Sequence, residues 1–236
     1  ENEGSAPVFL PAALVHDQDA TFSPDGRSIA FVRAYKPLLT AERGKGHFWS
    51  VQVYDIASGV EHTLWTAPEG TGNHFWAPEG VGLTWTRSGQ LLFPWEGRGW
   101  LRLCALPVAT LAEAPRCLTP DGAEIASYHL SADGARLFYT ANIGDLDHWR
   151  AWSQPLKGGQ PALLSNASEQ VMDLTMAGPA IAMMATDIAQ PAHPGVLQDH
   201  TRRLPVTAVM PDGFTFAAPQ VVHIRSDDGR DIHGQL

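Results

Sequence analysis

The chain has 236 residues, of which 44% are hydrophobic and 17% charged, as is typical of a folded globular protein with a substantial core. Acidic residues outnumber basic ones by 25 to 16, and no basic cluster could neutralise a run of phosphates, so neither nucleic acid nor an anionic membrane is an expected partner. The longest apolar stretch, at 180–185, is far shorter than a bilayer span. The opening residues ENEGSAPVFL show no signal-peptide pattern, so the localisation stays open between the cytoplasm and the periplasm or exterior.

The first predicted element is a hairpin in ATFSPDGRSIAFV, at 20–32. Pro24 presets φ for a turn, Asp25 tolerates the bridge conformation, and Gly26 can adopt the left-handed one. Alternating apolar residues on either side of this turn predict two short antiparallel strands.

Similar turns follow along the chain. They occur in LTWTRSGQLLFPW (83–95), in YHLSADGARLFYTAN (128–142), where Asp133 and Gly134 occupy the turn, and in a degraded form in DLTMAGPAIAMMATD (173–187). The four turn glycines are 63, 45 and 44 residues apart. A period near 45 predicts β-propeller blades, because four antiparallel strands with their turns occupy about 40–50 residues.

Each hairpin is followed by segments that predict a third and a fourth strand, and no window shows sustained helical periodicity. We therefore predict an all-β fold: a partial β-propeller of about four four-stranded antiparallel blades, plus a C-terminal extended segment. Insertions at 35–48 and 67–80 would explain the long first interval. The predicted boundaries are an N-terminal segment at 1–17, a propeller at 18–210 with blades at 18–66, 80–119, 125–166 and 171–207, and a C-terminal segment at 211–236.

The two cysteines, Cys104 and Cys117, are too few for a disulfide framework and lack the spacing of a zinc site. Two unpaired, partly buried thiols are the expected state, and a disulfide between neighbouring strands of a hairpin is the alternative. Asn142, Asp145 and Asp147 faintly suggest a calcium loop, but the full EF-hand pattern is absent, so Asn142 is expected to cap a turn. Neither a metal nor another cofactor is expected.

Several stretches resemble a known family. FSPDGRSIAFV resembles the PD40 blade repeat of TolB-like and prolyl-oligopeptidase-type propellers. The stretches at 91–108 and 130–159 resemble consecutive late blades of bacterial S9 serine peptidases of the dipeptidyl-peptidase type. The closing VVHIRSDDGRDIHGQL (221–236) resembles the strand that leaves the propeller and opens the α/β-hydrolase domain of that family. The resemblance covers about 18–236. It implies that a catalytic hydrolase domain follows this region in the chain and is its partner.

The chain departs from the family because it lacks the catalytic residues. The nearest approach to a G-x-S-x-G nucleophile elbow, at 26–30, lies inside the first repeat turn and ends in alanine. The double-glutamate helix that binds a substrate amino terminus in dipeptidyl peptidases is not recognisable either. We therefore assign no catalytic residue and expect no activity from this chain alone, while the resemblance implies a serine-type peptidase as its parent.

The predicted loops between second and third strands suggest a functional surface, because in a four-stranded blade they all open on one face. They are predicted at 33–47, 96–99, 142–148 and 190–194. A substrate-gating or hydrolase-docking surface is the functional hypothesis, and solvated hairpin tips are the alternative. The residues expected to gather at this rim are Glu96, Arg98, Asp145, Asp147 and His148.

Aromatic residues and histidines are expected to be structural. Packing between blades is favoured over a carbohydrate-binding platform for the tryptophans near predicted strands. These are Trp49, Trp65, Trp85, Trp95 and Trp100. The histidines show no metal or triad spacing, and we expect surface or strand positions for His16, His47, His62, His74 and His129.

Three functions follow. The preferred one is a non-catalytic propeller region of a dipeptidyl- or oligopeptidyl-peptidase-type serine peptidase, which docks the hydrolase domain, admits short peptides and excludes folded proteins. The first alternative is a stand-alone TolB-like propeller acting as a protein-binding module. The second is a propeller lyase or glycosidase, which needs paired carboxylates on the channel face. The predicted first strands, at 20–23, 83–86, 128–131 and 173–176, offer only Asp173 for that role.

Four blades also predict an open arc, because propellers of this family usually have more. An open arc leaves the faces of its terminal blades uncovered, so self-association is expected. The apolar residues expected to be exposed are Ile29, Phe31, Val51, Val53, Ile181 and Met183.

Overall fold

The computed structural model describes residues 15–35, 49–68, 75–78, 81–109, 113–198, 201–203, 213 and 216–236. These residues form four four-stranded antiparallel sheets and one hairpin, so the predicted all-β class is confirmed. Nowhere in these ranges is there a helix long and apolar enough to cross a membrane. The predicted insertions lie largely outside the described residues.

Sheets 1 and 2 are up-and-down meanders in which each strand after the first pairs with the strand before it. Sheet 1 contains β1 (Val15–Phe22), β2 (Ser28–Tyr35), β3 (Trp49–Asp55) and β4 (Val60–Thr66). Sheet 2 contains β5 (Thr84–Trp85), β6 (Gln90–Trp95), β7 (Arg102–Pro107) and β8 (Arg116–Cys117).

Sheets 3 and 4 repeat this order, and a hairpin closes the chain. Sheet 3 contains β9 (Ile125–Leu130), β10 (Arg136–Ala141), β11 (Arg150–Pro155) and β12 (Ala162–Leu163). Sheet 4 contains β13 (Gln170–Ala177), β14 (Ala180–Thr186), β15 (His193–Gln198) and β16 (Thr201–Arg203). The C-terminal hairpin consists of β17 (Val221–Arg225) and β18 (Asp231–Gln235).

The predicted turns have a common chemistry. Gly26 has φ 70° and Gly134 has φ 71°, which confirms the left-handed conformation expected of both. In the first turn, Ser23 Oγ donates to Asp25 Oδ1 at 2.7 Å and accepts from the Ser28 N–H at 2.9 Å. Sequence reasoning gave no role to this serine, whose hydroxyl ties the two ends of the turn together. The same serine-to-aspartate bond recurs at Ser131–Asp133 and, in the C-terminal hairpin, at Ser226–Asp228.

The core lies between neighbouring sheets. In β6, the side chains of Leu91 and Phe93 pack into the cluster shared with sheet 1, while Leu92 packs into the cluster shared with sheet 3. Because both faces of sheet 2 are covered, this strand is apolar without alternation. Trp49 is fully buried in the first cluster and packs edge-on against Trp65, with ring centroids 5.1 Å apart. The tryptophans of this cluster therefore pack between sheets, as predicted.

The clusters join the sheets in a row. A third cluster packs sheet 3 against sheet 4, through Ala151, Leu174 and Met183 among others. No cluster within the described ranges joins sheet 4 back to sheet 1. The described core clusters therefore connect the sheets in the order 1, 2, 3 and 4.

The prediction that terminal-blade residues would be exposed is wrong for five of the six. Val51 and Val53 face sheet 2, and Ile181 and Met183 face sheet 3, so the neighbouring sheets bury them. Phe31, on the other face of sheet 1, is also buried. The sixth residue, Ile29, is half-buried.

The expectation of two free thiols is also wrong. Cys104 on β7 and Cys117 on β8 face each other across the strand pair and form a disulfide. Cys104 is fully buried. The alternative pairing between neighbouring strands is therefore the one that the fold adopts.

Candidate functional site: a charged rim

The loops at 96–101 and 142–149 form what we call the rim. Each connects the second strand of its sheet to the third, so both open at the same edge of the sheet stack. Glu124 links them: its N–H donates to Asn142 Oδ1 at 2.7 Å, and its carboxyl accepts a hydrogen bond from the Leu101 backbone while Glu96 repels it. Burial, together with this like charge, raises the pKa of Glu124. Asn142 therefore binds a neighbouring segment rather than capping its own turn.

Asp145 organises the part of the rim that belongs to sheet 3. Its Oδ2 lies 2.6 Å from Arg150 Nη2 and 2.9 Å from His148 Nδ1. Its Oδ1 accepts from the Asp147 N–H at 3.1 Å. Partial burial alone would raise the pKa of Asp145, but these donors outweigh it and lower the pKa. The carboxylate is therefore ionised at neutral pH and holds the loop in shape.

Asp147 joins the rim to the C-terminal hairpin. Its Oδ2 lies 2.7 Å from His233 Nε2, across 86 residues of chain, and the Gln235 side chain also bonds to the carboxylate. Bonds from Gln235 and His233 lower the pKa of Asp147. The side chains of Asp147 and His233 are only 14% and 27% exposed. The contact therefore joins the hairpin to the loop at 142–149.

Glu96 and Arg98, the other two predicted rim residues, lie outside this contact. Arg98 Nη1 is 3.5 Å from Asp121, which also lies 3.3 Å from Arg102. Arg98 is 75% exposed, so its ion pair contributes little to stability. The structure thus brings Asp145, Asp147 and His148 together and places Glu96 and Arg98 on the neighbouring sheet.

A cavity of about 350 Å³ opens beside these arginines, at the outer part of sheet 2. Trp95 covers one wall, and Cys117 of the disulfide lies in another. Gly97 is required here, because a Cβ at this position would lie 2.2 Å from the Trp95 ring. The indole therefore lies directly over the backbone of the rim loop.

Two carboxylates of the first strand also correct the sequence analysis. Strand β1 begins at Val15 rather than at residue 20, so Asp17 and Asp19 belong to it. Asp17 forms an ion pair with Arg33 at 2.8 Å. Asp19, at φ 58°, accepts from the Leu83 N–H at 2.6 Å, and burial raises its pKa despite that bond. Both carboxylates therefore have structural partners within or between the first two sheets.

The rim provides charge and hydrogen bonds rather than a nucleophile. In the described part of the chain, neither His148 nor His233 is hydrogen-bonded to a serine or a cysteine. The same residues contain no group of three metal-binding side chains. Sequence reasoning missed the partners of the rim, since periodicity and turn patterns say nothing about contacts between distant segments. These partners are Asp121, Glu124, Arg150, His233 and Gln235.

Comparison with known proteins identifies the fold. No protein-family model and no curated protein matches the sequence. Among solved structures, puromycin hydrolase aligns with 92% of this chain and 32% of its own, at a TM-score of 0.65 and 18% identity. A puromycin-hydrolyzing peptidase of Mycobacterium tuberculosis aligns with 95% of this chain and 43% of its own, at a TM-score of 0.61 and 15% identity. TolB from Acinetobacter baumannii aligns with 94% of this chain and 51% of its own, at a TM-score of 0.51 and 14% identity.

The fold is that of a β-propeller. The sheets described above are its blades, and the predicted resemblance to TolB-like and peptidase propellers is confirmed at the level of the fold. The propeller chain spans about a third to a half of the length of the chains that it matches.

Proposed function

We propose that this propeller is the non-catalytic region of a serine peptidase of the oligopeptidase type. The observation that carries the proposal is that more than nine-tenths of the chain aligns with about a third of puromycin hydrolase. A peptidase of that length has room for a catalytic domain beyond the propeller. The shared fold and the motifs of the sequence together favour this role over an unrelated propeller function.

The rim is the surface on which we place the hydrolase domain. The C-terminal hairpin, whose sequence resembles the opening of that domain, is attached there through Asp147 and His233. The ionised Asp145, with Arg150 and His148, makes the loop beneath it rigid. A domain that continues from the hairpin would therefore begin at this edge of the propeller.

In this arrangement the propeller filters substrates by size. Short peptides reach the active site past the blade edges, whereas folded proteins are too large to pass. The partners are therefore the hydrolase domain and short peptides, and this chain provides the passage rather than the chemistry.

The test compares two polypeptides. The 236-residue chain should release nothing from aminoacyl-proline or alanine chromogenic peptides, because it carries no G-x-S-x-G elbow. A longer polypeptide that also contains the sequence encoded downstream should hydrolyse these peptides. It should leave intact a folded protein that contains the same cleavage sequences. Turnover by the short chain that is lost on mutating one of its own residues would refute the proposal. So would an extension that lacks a serine hydrolase domain.

A second candidate is supported by the likeness to TolB, which extends over 94% of this chain. In that case the propeller is a protein-binding module without a hydrolase. The two candidates differ in the downstream reading frame: a binding module would complete its blades there, and a peptidase would open an α/β domain.

A further inference from the structure

A groove opens between sheets 2 and 3 at the edge opposite the rim. It lies among the turns that join first to second and third to fourth strands, whereas the rim lies among loops that join second to third strands. Its volume is about 760 Å³, within the range of sites that hold a small ligand or a few residues of peptide. The groove is therefore distinct from the surface assigned to the hydrolase domain.

Three cations line this groove: Arg87, Arg116 and Lys157. Elsewhere in the described chain, Arg33 and Arg150 form short ion pairs with carboxylates. None of the three groove cations has a carboxylate within ion-pair distance among the described residues. In a chain with a net charge of −9, three cations around one cavity form a local field of opposite sign.

The one carboxylate that lines the groove, that of Asp133, is bound within its own turn. It accepts from Ser131 Oγ at 2.5 Å and from the Ala135 N–H at 2.9 Å. Bonds from Ser131 and Ala135 lower the pKa of Asp133, and Arg87 adds to this effect from a greater distance. The groove therefore retains a net positive charge with its acidic residue ionised.

Both arginines come from sheet 2 and lie across the junction to sheet 3. A Cβ at Gly134 would lie 3.5 Å from Arg87 Cδ, and a Cβ at Gly158 would lie 3.6 Å from Arg116 Nη1. The two side chains thus lie beside glycine turns of the next sheet. Apolar groups, including Val108 and Leu156, complete the lining.

We propose that this groove binds an acidic, partly apolar peptide segment of a partner protein. Carboxylates of the segment pair with the three cations, and its apolar side chains contact the apolar lining. A nucleic acid is disfavoured because three cations neutralise few phosphates. A small inorganic anion would use the cations but would leave the apolar lining uncovered.

The experiment is fluorescence anisotropy with a fluorescein-labelled heptapeptide of alternating glutamate pairs and leucine, Glu-Glu-Leu-Glu-Glu-Leu-Glu. The 236-residue chain should bind it, and the triple variant R87E/R116E/K157E should bind at least about tenfold more weakly. The matched control is R27E/R225E/R230E, which changes the net charge equally on exposed arginines outside the groove. It should leave the affinity within about twofold of the parent. Melting temperatures of both variants verify that they fold.

Four results would overturn the proposal. They are no binding by the parent chain, equal losses in the two triple variants, equal affinity for a heptapeptide with lysine in place of glutamate, and tighter binding of a labelled single-stranded oligonucleotide. Full competition by inorganic phosphate, with the ionic strength held constant, would assign the groove to a small anion instead. None of these outcomes bears on the hydrolase-docking rim, so the two proposals fail independently.

Discussion

Removing the disulfide should destabilise the propeller by a measurable amount. Cys104 and Cys117 are 13 residues apart in sequence and lie on neighbouring strands of sheet 2. A cross-link that closes a loop of about this length lowers the entropy of the unfolded chain enough to stabilise the fold by about 3 kcal/mol. For a chain of this size, about 1 kcal/mol shifts the melting temperature by about 2–4 °C, so the double variant C104A/C117A should melt about 6–12 °C lower.

The assay is thermal unfolding followed by circular dichroism, with and without a phosphine reductant. The parent chain should lose stability on full reduction, and C104A/C117A should not respond, because the sequence contains no other cysteine. Thiol titration in denaturant without reductant should find no reactive thiol in the parent. Two titratable thiols, or a melting temperature unchanged by both reduction and substitution, would refute the reasoning.

The remaining predictions concern turns, the hairpin contact and assembly. Replacing Gly26 with Val should lower the free energy of unfolding by about 1–3 kcal/mol, because a φ of 70° is strained for a β-branched residue. G26N should lower it less, because Asn tolerates that region. Equal melting temperatures for the two variants would contradict the turn assignment. The same loss is expected for G134V, where the added side chain also meets Arg87. Gln235 and His233 lower the pKa of Asp147 below 3.8, so the stabilisation from this contact is fully present above about pH 4 and is lost as the pH falls through the lowered value. The rate of proteolysis at the hairpin should therefore rise on acidification more steeply in the parent chain than in D147N. An identical pH dependence of this rate in both would exclude Asp147 as the titrating group. Self-association stays a prediction, because no core cluster among the described residues joins sheet 4 back to sheet 1. The neighbouring sheets nevertheless bury most of the apolar residues that were expected to drive it, and light scattering that shows a monomer at high concentration would contradict it.

The strands and their turns were predictable because they are specified locally. A Ser-x-Asp-Gly turn determines where one strand ends and the next begins, and Gly26 and Gly134 adopt the conformation that the sequence predicts. The rim was predictable in part, since loop order within a blade places Asp145 and Asp147 on one edge. This reasoning depends only on neighbouring strands.

Contacts between distant segments were not predictable. The bond between Asp147 and His233 joins residues 86 apart, and nothing in either local pattern selects the other. Val51 and Ile181 are buried because a neighbouring sheet covers the face on which they lie. The alternation of apolar residues along a strand does not tell which face that is. The disulfide forms because the register of β7 and β8 places Cys104 opposite Cys117. The length of the loop between these strands does not determine that register.

The meander order of the sheets has a consequence for the growing polypeptide on the ribosome. Within each of the four sheets, every strand after the first pairs with the one synthesised just before it, so a blade can complete its hydrogen-bond ladder without waiting for later sequence. Its apolar face, however, is covered only when the next blade emerges, as Leu91 and Phe93 of one sheet complete the cluster around Trp49 of the sheet before. At synthesis rates of about 5–20 residues per second, each new blade face would be exposed for a few seconds. Chaperone binding during translation is therefore expected to rise and fall with the period of the blades.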